Sequence, residues 1–211
     1  MSNSLVVVES PSKSKTLESY LGKDYKVLAS YGHVRDLLPK KGAVDPDNNF
    51  AMIYEAIERN EKAVNAIKRA LKKADTLYLA TDPDREGEAI AWHLHSDFEE
   101  KKLLENVAVK RITFTEITSS AIKTAIENPR TIDQDLVDAY LTRRILDHLI
   151  GFKVSPLLWR HVSRAKSAGR VQSPTLRIIC EKEDERDAHV AKELWPLKAT
   201  FTFEDSKFDA D

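Results

Sequence analysis

The sequence is poor in cysteine, and it lacks both a long hydrophobic run and an excess of charge of either sign. A single cysteine among 211 residues, Cys180, excludes an internal disulfide framework and a zinc site built from several cysteines. The earliest apolar stretch, Leu5 to Val8, is too short to span a membrane, and Glu9 follows it at once. We therefore expect a cytoplasmic protein without a membrane segment.

Charge and composition further limit the classes of protein to which this sequence can belong. The 33 basic and 34 acidic side chains leave a formal net charge of −1, so any attraction to nucleic acid or anionic lipid has to come from a local patch. With 6 glycines, 8 prolines and 42% hydrophobic residues, the chain is neither collagen-like nor disordered. Its length suits one or two globular domains.

Before Pro129, apolar strands alternate with amphipathic helices. The pattern predicts strands at 5–8, 25–29, 77–80 and 109–113 and helices at 13–21, 60–73, 89–98 and 119–127. Such alternation predicts an α/β fold in which a Rossmann-like parallel sheet carries helices on both faces. Residues 38–49 read as a connecting loop.

After Pro129 the pattern predicts an incomplete, mainly helical region. One helix is expected to end at Gly151, another to begin at Ser155-Pro156, and a third to hold Ser173-Pro174 in its first turn. Residues 195–203 alternate like a strand, but no partner strand is evident in the residues that follow. An unpaired strand suggests that the chain is a piece of a longer protein.

Acidic residues follow two of the predicted strands. Glu9 comes directly after the first strand, and the strand at 77–80 is followed by Asp82, Asp84, Glu86 and Glu88. Open α/β sheets bind ligands at the carboxyl ends of their strands, and five carboxylates there need a compensating cation. Oxygen ligands without histidine or cysteine favour Mg²⁺, which also takes a phosphate. The alternative is a solvated acidic turn in which Asp82 caps the next helix.

The loop after the first strand carries Ser12, Lys13 and Lys15 at the start of a helix. Free N–H groups, the helix dipole and an ammonium group together favour an anion beside the predicted cation site. No glycines precede Lys15, so the segment is not a phosphate-binding P-loop. The alternative is an exposed, lysine-rich first turn that binds nothing.

Basic residues are concentrated between positions 141 and 173, where seven lysines and arginines stand against one acid. Arg144 and His148 are four residues apart and project from one helix face. Residues 163–173 add cations, hydroxyls, an amide and small side chains, which suit a sugar-phosphate backbone better than base edges. The alternative is an ordinary solvated helix face.

Seven motifs, in this order along the chain, resemble the bacterial type IA DNA topoisomerases: LVVVESPSKSKT, SYGHVRDL, YLATDPDREGEAIAWHL, FTEIT, LTRRILD, GFKVSPLLW and SAGRVQS. The resemblance covers residues 5 to about 187. It implies a Toprim domain over residues 1–128, the start of a helical DNA-binding domain over 129–194, and the first strand of a missing domain over 195–211.

The resemblance also implies a reaction and the residues that perform it. In this family a tyrosine attacks one strand of negatively supercoiled DNA, becomes joined to its 5′ phosphate and reseals the strand after strand passage, with Mg²⁺ and without ATP. By position, Glu9 is the general acid/base and a metal ligand, and Lys13 stabilises charge on the phosphate. Asp82 and Asp84 hold Mg²⁺ with the support of Glu86. The implied DNA contacts are His33, Arg144, His148, Lys153, Arg160, Ser167, Ala168, Gly169, Arg170, Val171 and Gln172.

Family members are several times longer, and their nucleophilic tyrosine lies in a later domain. None of the six tyrosines of this chain stands in that motif. Since transesterification needs an activated nucleophile, we expect the chain alone to have no relaxation activity. We also expect a monomer that associates with the nucleoid and binds single-stranded regions of DNA.

Three other functions remain open. A free-standing Toprim nuclease or primase-like phosphotransferase would use the same acids with water or a nucleotide as nucleophile. A non-catalytic nucleic-acid-binding module would need the basic patch but not the acids. A phosphoacceptor receiver domain has aspartates at strand ends, but gives the arginines no role.

Overall fold

The computed structural model describes residues 3–204 and 206–210. The chain divides into two compact units between Ala168 and Gly169. In chain order the elements are β1 (Ser4–Val8), α1 (Pro11–Leu21), β2 (Tyr25–Ala29), β3 (Arg35–Leu37), β4 (Val44–Asp45), β5 (Ala51–Met52), β6 (Tyr54–Ala56), a 3₁₀ turn (Glu58–Asn60), α2 (Glu61–Leu71), β7 (Thr76–Leu79), α3 (Arg85–Glu100), β8 (Ala108–Arg111), α4 (Ser119–Glu127), α5 (Gln134–His161), α6 (Gln172–Asp187), β9 (Ala199–Phe203) and β10 (Ser206–Ala210).

A four-stranded parallel sheet organises the first unit, in the order β2-β1-β7-β8. Strand β1 lies in the middle, with Val6 opposite Val27 on one side and Tyr78 on the other. Every side chain of β1 is buried, as expected for a strand covered on both faces. The prediction of a parallel α/β sheet is confirmed.

Side chains of β1 point alternately to the two faces of the sheet, and each face has its own core. Leu5 and Val7 pack with buried residues of α2 and α3, among them Ile67 and Leu94. Val6 and Val8 pack on the opposite face with buried residues of α1 and α4, namely Leu17, Ile122 and Ala125. Helices therefore cover both faces, and the carboxyl ends of β1 and β7 emerge at one edge between them.

The segment between β2 and α2 leaves the sheet and forms two short antiparallel ladders, β3 with β6 and β4 with β5. Part of it, residues 38–49, was expected to be a connecting loop, and it contains only the two residues of β4 as regular structure. At the end of this segment, buried Asn60 donates hydrogen bonds to the carbonyl oxygens of Tyr31 and His33, which follow β2.

Helix α5 corrects the prediction that one helix ends at Gly151 and another begins at Ser155. It continues through both positions and through Pro156. A glycine ends a helix where it adopts a positive φ, and Gly151 does not. The proline removes one backbone hydrogen bond, while the helix keeps its packing against α3. Within the described residues, no helix is both long and apolar enough to cross a membrane.

The second unit contains α6 and an antiparallel hairpin of β9 and β10, with Phe201 opposite Phe208. The prediction that residues 195–203 lack a partner is therefore wrong. The partner is the next segment, β10. It shows no strand pattern in the sequence, because Phe208 is its only large apolar residue. The side chains of β9 and β10 are all exposed.

Candidate active site

Two acidic residues meet where β1 and β7 end. Because these strands are neighbours in the sheet, Glu9 and Asp82 leave it side by side. The backbone N–H of Asp82 donates to Oε1 of Glu9 at 2.8 Å. Two members of the predicted acidic group are thus in direct contact, although 73 positions separate them in sequence.

Burial raises the pKa of the Glu9 carboxyl above its ordinary value. The hydrogen bond from Asp82 opposes this effect, but the negative charges of Asp82 and Asp84 reinforce it. Glu9 therefore keeps its proton to a higher pH than a solvent-exposed glutamate does. A carboxyl group of this kind can donate a proton and take it back at a higher pH than an exposed glutamate can.

Lys13 forms an ion pair with Oδ1 of Asp82. The start of α1 places it there: Ser10 caps the helix by accepting a hydrogen bond from the Lys13 N–H at 3.5 Å, and Pro11 occupies the first turn. The lysine thus lies between the helix N-terminus and the acids. It can reach either an acid or an anion bound beside it.

Asp84 begins helix α3, because its Oδ1 accepts a hydrogen bond from the Gly87 N–H at 2.7 Å. Asp84 rather than Asp82 is therefore the capping residue, and the helix starts four residues before its predicted beginning at 89. The loop is tightly folded at Gly87, where a Cβ atom would lie 2.2 Å from the carbonyl oxygen of Asp82. Glu86 is exposed in the first turn of α3.

Glu88 does not join the acidic group. It is buried and accepts hydrogen bonds from Arg111 at 3.0 Å, from Arg130 at 2.8 Å and from the Asp133 N–H at 2.7 Å. Burial pushes the pKa of Glu88 up, but these hydrogen bonds outweigh burial and lower its pKa to about 2. Four carboxylates, not five, therefore remain at the edge of the sheet.

Arg111 supports the main chain of the candidate site, and sequence reasoning missed it. Its buried guanidinium donates to the carbonyl oxygens of Thr81 and Asp82, each at 2.8 Å, while Glu88 balances its charge. The arginine thereby holds the main chain from which Asp82 projects. The one signal in the sequence was an arginine within a predicted strand of the sheet, since a buried arginine requires acceptors and a counter-charge.

The first half of α5 contacts His33 and Asp36, which lie in the segment after β2. The His33 ring stacks on Tyr140 with 5.2 Å between ring centroids, and Arg144 donates through Nε to Asp36 at 2.8 Å. Burial lowers the pKa of His33, and the charge of Glu86 acts against that shift. Of the predicted DNA contacts, His33 thus lies near Glu86 of the acidic group, and Arg144 is paired with Asp36.

Comparison with known families decides the relationship. The Toprim domain family matches residues 4–117, which is more than half of the chain, and a DNA topoisomerase family matches residues 131–211. The chain belongs to the Toprim-containing bacterial DNA topoisomerases.

Named relatives agree with this assignment. DNA topoisomerase 1 of Xylella fastidiosa (strain Temecula1 / ATCC 700964) is 58% identical over 210 residues, which cover all of this chain and 26% of the relative. DNA topoisomerase 1 of Rickettsia felis is 55% identical over 92% of this chain and 25% of its own length. The structure of full-length topoisomerase I from Thermotoga maritima matches 98% of this chain and 34% of its own, with a TM-score of 0.73 and 42% identity. The chain spans about a quarter of the length of these curated relatives.

Toprim domains generally bind a metal ion, and the acids of this chain fit a loosely held one. Among the described residues, no three His, Cys, Asp or Glu side chains come together as a preformed metal cage. However, Glu9, Asp82 and Asp84 each use one oxygen in the contacts above and leave the second without a hydrogen bond to another described residue. This donor set fits Mg²⁺, which takes one or two carboxylates and completes its shell with water and phosphate.

The other predicted DNA contacts lie on α5 and beyond it. His148 is partly buried against the Phe152 ring, with 4.6 Å between centroids, and burial lowers its pKa. Lys153 and Arg160 are exposed on the same helix. The predicted segment Ser167–Gln172 crosses the division between the two units, and its Ala168 N–H donates to Oγ of Ser155 at 3.1 Å. Contact of these residues with DNA stays a prediction.

Proposed function

We propose that this chain supplies the acid/base group and the Mg²⁺ site of a type IA topoisomerase, which relaxes negatively supercoiled DNA through a transient single-strand break. The contact between Glu9 and Asp82, with Lys13 paired beside them, carries the proposal. It assembles a proton donor, a carboxylate ligand and a cation at the ligand-binding edge of the sheet.

The roles follow from the geometry of the three side chains. Glu9 donates a proton to the DNA oxygen that leaves when a tyrosine attacks the phosphate, and it recovers that proton when the strand is resealed. Lys13 moves from Asp82 to the phosphate and stabilises its developing charge. Asp82 and Asp84 hold Mg²⁺ with Glu86 nearby, and the bound ion supplies positive charge against the phosphate.

Single-stranded DNA is the proposed partner. His33 and Arg144, together with exposed Lys153 and Arg160, supply cations and donors for its phosphates. The expectations of a monomer in the cytoplasm, associated with the nucleoid, belong to the same proposal and stay predictions.

We expect the nucleophile to come from outside these 211 residues, because none of the six tyrosines stands in the motif of the family's nucleophile and two of them are poorly suited to the role. Tyr140 is partly buried with its hydroxyl 3.4 Å from Nε2 of His33, and burial raises its pKa to about 12. Burial also raises the pKa of Tyr54 to about 12. Such groups form a phenolate even less readily than an exposed tyrosine, so the chain alone is expected to leave supercoiled plasmid unrelaxed.

A chimera tests the proposed function. This chain replaces the matching 210 residues of DNA topoisomerase 1 from Xylella fastidiosa, and relaxation of negatively supercoiled plasmid is measured with and without Mg²⁺. We expect Mg²⁺-dependent relaxation, which Glu9→Ala and the double change Asp82→Ala with Asp84→Ala strongly reduce. A folded chimera that is inactive, or one that is indifferent to these changes, contradicts the proposal.

A nuclease is the second candidate, because the acids and Lys13 assemble within this chain without a tyrosine. Incubation of the chain with supercoiled plasmid and Mg²⁺ separates the two functions. Nicked circles that depend on Asp82 support the nuclease, whereas intact plasmid supports the topoisomerase part.

A further inference from the structure

Tyr31 holds its ring in solvent on a strained backbone. Its φ is +62°, a left-handed conformation that a bulky residue rarely adopts and that glycine adopts freely, and the next residue, Gly32, has φ +92°. Nevertheless the Tyr31 side chain is 57% exposed, so burial of the ring does not offset this strain.

Buried Asn60 enforces the strained turn. It is only 4% exposed, and its Nδ2 donates to the carbonyl oxygens of Tyr31 at 3.1 Å and His33 at 2.7 Å. The surrounding structure thus fixes both the backbone and the direction in which the tyrosine leaves it. Strain of this kind, held by its surroundings, is characteristic of functional positions.

A cavity of about 450 Å³ opens beside this turn, along the outer edge of β2 between α1 and α2. Tyr31 lines it together with Arg59 and Lys62, and none of the described carboxylates does. All three side chains are exposed. An aromatic ring with two cations and no acid suits an anionic, planar ligand.

The cavity adjoins the acidic residues. Pro11 and Ser14 line it from the first turns of α1, the helix that also carries Lys13. From the other side, the Gly32 N–H donates to the backbone oxygen of Glu9 at 3.2 Å. A strand whose phosphate lies at Lys13 can therefore continue into the cavity with its neighbouring nucleotide.

We propose that Tyr31 and this cavity bind one unstacked nucleotide of the single DNA strand, next to the phosphate that reacts at Glu9. The base stacks on the Tyr31 ring, and its phosphate faces Arg59 and Lys62. This inference rests on the proposed function, since it names a further contact of the same substrate. Because every base presents a π-face, the site accepts any of the four bases.

Tyr31→Gly separates binding from folding. Glycine accepts the backbone conformation and removes the ring, so we expect an unchanged or higher thermal midpoint together with about tenfold weaker binding of a short oligothymidine. Tyr31→Phe keeps the ring and should bind within about twofold of the unchanged chain. Tyr20→Ala is the matched control, because Tyr20 is an exposed tyrosine on α1 that does not line the cavity.

Two further measurements define the ligand. With Arg59→Gln, the slope of log K against log salt should fall by about 0.7, as expected for one lost phosphate contact on a single strand. An oligothymidine that carries 5-iodouracil should photo-crosslink to Tyr31, as located by peptide mass spectrometry.

Equal binding by the unchanged chain and by Tyr31→Gly overturns this inference and leaves the proposed function standing. Equal losses in Tyr31→Gly and Tyr20→Ala also overturn it. If the unchanged chain does not bind the oligothymidine at low salt, both this inference and the DNA-binding part of the proposed function are wrong.

Discussion

Asp82 offers Glu9 its backbone N–H rather than its carboxylate, at 2.8 Å from Oε1. The Asp82 carboxylate therefore stays available to Lys13 and to a cation. Two like-charged side chains can approach each other in this way because a backbone donor lies between them. The backbone N–H of Asp82 thus positions Glu9, while the carboxylate of Asp82 remains available for a ligand.

Glu9→Gln tests this separation. Glutamine keeps the acceptor for Asp82 N–H and removes a carboxyl whose burial disfavours its charge, so stability at neutral pH should be unchanged or slightly higher. Mg²⁺ affinity should fall several-fold. Urea unfolding and a Mg²⁺ titration followed by NMR at Asp82 and Asp84 measure the two effects. Glu18→Gln, on the exposed side of α1, should change neither quantity. A clear loss of stability in Glu9→Gln contradicts this account.

Two glycine substitutions should act in opposite directions. In Gly87→Ala the new Cβ would lie 2.2 Å from the Asp82 carbonyl oxygen, so we expect a loss of about 1–3 kcal/mol and a displaced loop. In Gly151→Ala the Cβ meets nothing within 4 Å, and replacing a glycine inside α5 should stabilise by about 0.5–1 kcal/mol. Chemical denaturation measures both changes, and equal effects in the two variants would show that the close approach at Gly87 is unimportant.

Acid should unfold the protein through two buried groups. Burial, followed by the positive charge of Arg35, lowers the pKa of His93 to about 3, so the stability that neutral His93 provides is complete above its ordinary pKa of 6.5 and is lost as the pH falls toward 3. Glu88, with its pKa of about 2, contributes stability above 4.5 that disappears as the pH falls from 4.5 to about 2. The lowering of the Glu88 pKa from 4.5 to about 2 corresponds to about 3 kcal/mol of unfolding free energy. Unfolding free energies measured in urea across this range should decline in both intervals.

Glu88→Gln is the control for the predicted loss of stability between pH 4.5 and 2. It should unfold more easily at neutral pH, because Arg111 then lies buried without a full counter-charge. Its stability should also decline less between pH 4.5 and 2 than that of the unchanged chain. A parallel decline in both proteins would exclude Glu88 as the titrating group.

Asp36→Asn should strengthen DNA binding. Asp36 pairs with Arg144, and both side chains are about 40% exposed, so the pair contributes at most about 1 kcal/mol to stability. Removing the negative charge frees the guanidinium for a phosphate and reduces repulsion of DNA. Fluorescence anisotropy with a single-stranded oligonucleotide should show tighter binding and a steeper salt dependence. Arg144→Gln should weaken binding and make its salt dependence less steep. If Asp36→Asn leaves DNA binding unchanged, Arg144 does not contact the DNA.

The four strands of the parallel sheet and the helices between them followed from local patterns, because buried parallel strands and amphipathic helices have different hydrophobic periods. The short strands β3 to β6 did not, since each has only two or three residues. The same patterns divided α5 into two helices, since Gly151 resembles a helix end and Ser155-Pro156 resembles a helix start. They also missed β10, whose composition is mostly polar.

By itself, the sequence determined which reactive and charged groups the protein has: acids after two strands, a lysine at a helix start, and a surplus of arginine and lysine between positions 141 and 173. Only the tertiary structure decided how these residues divide their work. It brought Asp82 to Glu9, turned Glu88 inward to Arg111, and held the Tyr31 ring outward. The reason is physical: residue type sets what a side chain can bind, whereas burial and neighbouring strands set its charge, its partner and its direction.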